Sequence, residues 1–273
     1  MNKLILGRYF PGNSLIHQLD PRAKLCLAIY FIALLFFVNS IAGYLLMIGF
    51  VLCVIKLTGV SVRIYLRGIR PLIWLILMAV FFRVIFTAGG TIFVSKGPIA
   101  ISSYGLLLGF YTFNRFVLII LISTVLTLTT KPVDLTDAID ALLKPLRLIG
   151  ISTSEFSLML SISLRFIPNL LDETQKVLDA QRARGVGFGE GRLTEQMKKI
   201  VPLIIPLFSS SLNRAEEMAD VLEVRGYQPG QKRSSFRRLS WQMRDTISLV
   251  LMGCLTIGVV VLNQVTLFEQ WIY

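Results

Sequence analysis

The sequence predicts an all-α integral membrane protein, with about five transmembrane helices and long amphipathic helices on the cytoplasmic side. Three observations carry that prediction. Of 273 residues, 54% are apolar and 16% charged, whereas a soluble domain has about 45–50% and about 25%. The mean hydropathy is +0.69, and the apolar residues gather in runs of membrane length rather than in short core patches. The charges are segregated: residues 131–245 hold 17 of the 28 basic and 14 of the 16 acidic residues. This composition excludes a disordered chain and a wholly soluble globule.

The first apolar run follows Asp20-Pro21-Arg22. Aspartate is a good N-cap and proline suits the first helical position, so a helix starts at Pro21. It reaches Val38, Asn39-Ser40 makes a turn, and a second run goes from Ile41 to Leu57. Both runs are short against the ~20 residues that a bilayer core requires. One long helix is the rival reading, and the Asn-Ser break favours two spans. A basic loop with Lys56, Arg63, Arg67 and Arg70 comes next. A third run, Pro71 to Ala88, leads to a loop at 89–103 whose one basic residue is Lys96. The fourth run is Tyr104 to about Thr129. The last is Ile247 to Leu262, followed by Phe268, Trp271 and Tyr273 as interface anchors.

The net charge of +12 is assigned to the membrane rather than to nucleic acid, because cytoplasmic loops collect Lys and Arg. Lys3, Arg8, Arg22 and Lys24 precede the first span, and the 56–70 loop carries four more basic residues. The turn at 39–40 has none. The N-terminus is therefore expected inside, and five spans put the C-terminus outside. The opening does not read as a cleaved signal, since Gly7-Arg8 and Pro11-Gly12 interrupt its apolar stretch. The domains expected are a four-span membrane domain at 1–130, a cytoplasmic helical module at 131–245 and a C-terminal span at 246–273.

Within 131–245 the periodicity is helical. A short amphipathic piece runs from Val133 to Leu143 and stops at Pro145. Ser152 and Glu155 have capping-box spacing, opening a helix that Pro168 should kink and that ends at Arg184-Gly185. Leu170, Leu171, Thr174, Leu178 and Gln181 give it an apolar face. A second helix runs from about Leu193 through Pro202 and Pro206 to Arg225-Gly226. At an offset of 41 residues, Asp179, Arg184 and Gly185 fall on Asp220, Arg225 and Gly226. Each Arg-Gly pair has an ordinary explanation, a glycine C-cap with a cation suited to the helix dipole. The repetition on two successive helices points further, because arginine is a preferred anchor in buried interfaces.

Other features carry less. Cys26, Cys53 and Cys254 lie in apolar runs and suggest neither disulfide nor metal site. The single histidine, His17, reads as a loop hydrogen-bonding residue. The glycines from Gly185 to Gly191 lack the Gly-Lys-Ser/Thr of a phosphate loop, and no P-loop occurs in the chain. Arg83 and Arg115 sit inside apolar spans without a carboxylate beside them; snorkelling to headgroups and a partner or polar cavity both stay open. Asp134, Asp137 and Asp140 read as the solvated stripe of the short amphipathic piece.

The run Gly7-Arg8-Tyr9-Phe10-Pro11-Gly12-Asn13-Ser14, continued by His17-Gln18-Leu19-Asp20-Pro21-Arg22-Ala23-Lys24, resembles the transmembrane T component of energy-coupling factor (ECF) transporters, the EcfT family. So do Leu126–Thr130, Arg165-Phe166-Ile167-Pro168 and Ala180–Gly185. The family's signature is a small or apolar residue followed by Arg-Gly, once in each of two coupling helices. Ala183-Arg184-Gly185 and Val224-Arg225-Gly226 fit it, with valine where alanine is usual. The resemblance implies a non-catalytic subunit of a bacterial vitamin or micronutrient importer, multi-pass in the cell membrane. It implies two ABC-type ATPases, which bind the ATP and receive the two arginines, and one membrane-embedded substrate-binding S component. No cofactor is expected on this chain.

Two other classes compete. A self-sufficient secondary transporter should show inverted repeats and intramembrane carboxylates or interrupted helices, and no Asp or Glu lies in the first four spans. An integral membrane enzyme acting on lipid should cluster acids or histidines at the interface, which the three aspartates alone do not do.

Overall fold

The computed structural model describes residues 9–87, 89, 91–96, 99–143, 153–188, 193–228 and 240–272. Helices dominate: α1 (Pro21–Leu35), α2 (Ile41–Thr58), α3 (Val62–Ile69), α4 (Ile73–Phe86), α5 (Ser103–Thr129), α6 (Pro132–Leu143), α7 (Thr153–Ala183), α8 (Leu193–Val224) and α9 (Met243–Ile272). The chain is an all-α membrane protein apart from one small hairpin. It divides into two compact units, Met1–Ala138 with Arg238–Tyr273, and Ile139–Arg237.

Local chemistry explains the boundaries in the first unit. Asp20 caps α1 by accepting from the Arg22 N–H at 2.8 Å, with Pro21 at the first helical position. Ser40 caps α2 through the Gly43 N–H at 3.1 Å, so the Asn39-Ser40 break separates two helices as expected. Gly59 ends α2 at φ 69°. Ser102 caps α5 through the Gly105 N–H at 3.0 Å.

Two expectations need correction. The basic 56–70 segment is not a loop throughout: Val62–Ile69 is helical and passes through a 3₁₀ turn, Arg70–Leu72, into α4. Its apolar and basic residues alternate at helical spacing, which a reading by charge alone overlooks. The 89–103 loop contains a hairpin, with β1 (Ile92–Lys96) antiparallel to β2 (Ile99–Ser102). The β-branched residues Ile92, Val94, Ile99 and Ile101 favour that extended pairing.

Four helical stretches are long and apolar enough to cross a membrane: Ile41–Thr58, Val62–Phe86, Ser103–Thr129 and Met243–Gln264. Helix α1, with 15 residues, rises only about 22 Å and falls short of the five expected by length alone. It nevertheless runs alongside α9. Asp20 N–H donates to Asp245 Oδ1 at 2.8 Å, Tyr30 and Thr256 hydroxyls meet at 3.0 Å, and Asn39 N–H donates to Asn263 Oδ1 at 3.2 Å. Asn263 Nδ2 also donates to the Phe37 carbonyl at 2.7 Å. Helix α1 and its following turn thus keep pace with the α9 segment from Asp245 to Asn263, about 27 Å of helix.

The core of this unit joins α1, α2, α5 and α9 through Phe31, Leu35, Tyr44, Met47, Leu118 and Val259, each at most 2% exposed. The Tyr44 and Tyr111 rings stack with centroids 5.0 Å apart.

The second unit pairs α7 and α8. Both match their expected limits within two residues, although Ser152 of the expected capping box and Pro145 lie outside the described residues. Pro168 stays inside a continuous α7, as Pro202 and Pro206 do in α8.

Candidate functional site

The two Arg-Gly pairs fold into the same motif. At the end of α7 the Gly185 N–H donates to the Arg182 carbonyl at 2.9 Å, and the Val186 N–H to the Gln181 carbonyl at 3.1 Å. At the end of α8 the Gly226 N–H donates to Glu223 at 2.8 Å, and Tyr227 to Leu222 at 2.8 Å. These are the paired 5→2 and 6→1 bonds of a Schellman cap. They require a left-handed residue, and Gly185 has φ 85° and Gly226 φ 68°. Beyond the adjoining residues, no atom of the described residues stands within 4 Å of where a Cβ would sit on either glycine. Backbone conformation rather than crowding therefore selects glycine here.

The cap places Arg184 and Arg225 at the C-cap, one residue past the end of each helix. Both are exposed, as are Ala183, Gly185, Val224 and Gly226; Val224 is 89% exposed. Neither guanidinium has a partner among the described residues. Near the first tip the local anion is already used: Asp179 accepts from Gln175 at 2.9 Å and pairs with Arg182 at 3.4 Å. Arg184 is thereby left free to meet something else.

Helices α7 and α8 meet at an ion pair, Arg214 with Glu173, at 3.6 Å, and the Arg214 guanidinium lies 5.7 Å from the Phe166 ring centre. Glu173 and Arg214 are themselves related by the 41-residue offset, so the two repeats touch at equivalent positions. Each arginine tip follows its partner in this contact by eleven residues, about 16 Å of helix. The pair therefore presents two like arms with like ends. Sequence reasoning missed this contact. The 41-residue register was its only signal, and it aligns unlike residues at these positions.

The described parts of α7 and α8 contain no fully buried side chain. Met159, Ile167, Leu171, Met197, Ile205 and Phe208 are between 47% and 68% exposed. Exposed apolar surface on that scale is a general mark of protein or membrane interaction sites.

The other candidates resolve differently. His17 is a loop organiser: its Nε2 meets the Phe10 carbonyl at 3.0 Å and its Nδ1 the Ser14 hydroxyl at 2.7 Å. A carbonyl only accepts, so Nε2 carries the proton and Ser14 donates to Nδ1. Arg115 is half-buried over the Phe36 ring at 5.0 Å, whereas Arg83 is exposed. Asp134, Asp137 and Asp140 are half-buried rather than a fully solvated stripe. Among the described residues, no group of three His, Cys, Asp or Glu is placed to hold a metal ion. Residues 189–191 of the glycine-rich stretch lie outside the described residues, but Gly187 accepts from Lys199 Nζ at 2.8 Å.

A buried polar junction holds the start of α1. Lys24, 7% exposed, donates to the carbonyls of His17 at 3.1 Å and Thr129 at 3.0 Å. Asp245, 1% exposed, accepts from the Asp20 N–H at 2.8 Å and the Gln242 N–H at 2.8 Å. One carboxylate thus caps α9 and ties the N-cap of α1 to it. The Asp20 cap was legible in the sequence; the Lys24 and Asp245 contacts were not.

The sequence matches the CbiQ family, described as cobalt transport protein, over residues 12–236. It is 52% identical to energy-coupling factor transporter transmembrane protein EcfT 1 of Listeria monocytogenes, over 96% of this chain and 99% of that one. The chain belongs to the EcfT family. Other EcfT relatives include those of Lacticaseibacillus paracasei, 49% identical over 93% of this chain and 98% of that one, and Bacillus subtilis, 42% identical over 93% and 97%. These EcfT proteins are named as transmembrane proteins of energy-coupling factor transporters.

Proposed function

We propose that this EcfT chain is the coupling subunit of a bacterial micronutrient importer, with each arginine tip docked on one of two ABC-type ATPases. ATP binds to those partners, not to this chain. Ala183-Arg184-Gly185 engages one ATPase and Val224-Arg225-Gly226 the other. A membrane-embedded S component binds the vitamin or metal ion and reorients when the ATPases bring the two arms together. The single observation behind this reading is the duplicated tip: two exposed, unengaged guanidiniums on identical caps, equally far from one helix contact. Two equivalent arms suit two equivalent partners. The uncovered apolar faces of α7 and α8 supply surface for the S component and the lipid bilayer.

In this reading residues 1–130 form a membrane domain, 131–245 the cytoplasmic coupling module, and 246–273 the last span. The pairing of α1 with α9 along about 27 Å supports α1 as a fifth span, close to the ~30 Å of a hydrocarbon core. The N-terminus and the coupling module then face the cytoplasm. A cysteine at Ser95 should react with an impermeant reagent in intact cells, and one at Ser234 should not; the reverse pattern overturns this topology.

The deciding experiment is copurification. Replacing Arg184 and Arg225 together with glutamate should abolish assembly with the ATPases while the chain still inserts and folds. If the tips only complement helix dipoles, a contribution of ~0.3–1 kcal/mol each, the double variant would copurify at wild-type yield and sustain uptake.

A further inference from the structure

We propose that the groove between α3 and α5 is a binding site for an anionic phospholipid, its phosphate held by Arg67 and an acyl chain lying along Ile64, Leu72, Ile119 and Ile120. The groove has a volume of about 330 Å³, within the range of ligand clefts. Its wall is mostly apolar, with Arg67, Ser123, Thr124 and Thr127 as the polar exceptions. The two threonine hydroxyls already donate within α5, Thr124 to the Ile120 carbonyl at 2.7 Å and Thr127 to Ser123 at 2.9 Å. The guanidinium is therefore the fork available for an anion, and its planar donors match a phosphate.

Charge complementarity identifies the occupant. Arg63, Arg67 and Arg70 recur at four- and three-residue steps along one edge of the α3 segment, all exposed. No aspartate or glutamate occurs between Asp20 and Asp134, so the whole stretch brings no anion of its own to this edge. A short basic amphipathic helix leading straight into an apolar one is suited to headgroup depth, where lipid phosphates are the available anions. An exposed cation on the wall of an apolar groove is the complement of an amphiphile, not of a free ion.

The test uses the full-length chain in nanodiscs of phosphatidylcholine with a minor fraction of phosphatidylglycerol, followed by native mass spectrometry of the retained lipid. One phosphatidylglycerol should be retained per chain in preference to phosphatidylcholine. Arg67→Gln should lower that preference about fivefold, the equivalent of one cation near an anionic headgroup, while Arg67→Lys keeps most of it. Ser123→Phe, which obstructs the apolar part without removing charge, should reduce retention of both lipids. Equal retention of the two lipids by the wild type, or an unchanged preference in Arg67→Gln, overturns the proposal. So does release of the lipid by excess inorganic phosphate, which would mark a simple anion site. The readout is lipid retention, so it fails or succeeds separately from the assignment of the arginine tips to ATPases.

Discussion

The two units of this EcfT chain solve the problem of apolar surface in opposite ways. In the unit formed by residues 1–138 and 238–273, side chains such as Phe31, Leu35, Tyr44 and Val259 are removed from solvent altogether. Two of its buried charged groups find partners within the unit, Lys24 on the Thr129 carbonyl and Asp245 on the Asp20 N–H. In the unit at 139–237 the described helices bury no side chain fully, and they meet through an ion pair whose side chains are 38% and 26% exposed. The first unit carries its own core. The second leaves much of its apolar surface and both arginines exposed. Substitutions in the first should therefore act on folding, and those in the second on assembly.

The largest effect expected is at Asp245. Asp245→Ala leaves the buried Asp20 N–H, the part-buried Gln242 N–H and the nearby Lys24 without their anion, and should cost ~3–5 kcal/mol of stability. Thermal unfolding of the detergent-solubilised chain checks this; an unchanged midpoint would erase the contrast between the units. Next comes a single tip. Arg184→Ala should weaken the ATPase complex about 30-fold or more, from a ~2–5 kcal/mol loss at a buried charged contact, without shifting the unfolding midpoint of the isolated chain. Binding titrations with the purified ATPase would read it, and a shifted midpoint with intact binding would reverse the assignment.

A smaller effect separates conformation from contact. Gly226→Val must place a β-branched residue at φ 68° and should cost ~1–2 kcal/mol, whereas Gly226→Asn should be tolerated, since asparagine visits that region. Copurification yield in the order glycine, asparagine, valine is the expected result. The smallest effect belongs to Arg182→Ala. Its pair with Asp179 is more than half exposed on both sides, so the loss should stay below ~1 kcal/mol and uptake should be near normal. A defect as large as that of Arg184→Ala would show that the anchor is not confined to the C-cap arginine.

Local chemistry determined a good deal before any tertiary contact was known. Asp20-Pro21, Asn39-Ser40 and the two Arg-Gly pairs each act within a few residues, through caps and turns, so the starts of α1 and α2 and the ends of α7 and α8 were legible, whereas α1 stops at Leu35 rather than at the expected Val38. Apolar length marked the longer spans, and the 41-residue repeat marked both tips. Tertiary structure decided what depends on groups far apart in the chain. Asp245 reaches Asp20 across 225 residues and Lys24 reaches Thr129 across 105; nothing local distinguishes these from surface charges. The reach of α1 beside α9 could not be judged from its 15 residues, because the five that follow complete its length without being helical. The meeting of Glu173 with Arg214 was also hidden. Opposite charges at equivalent positions break the repeat in sequence, and that same difference in charge lets the two helices attract where they touch.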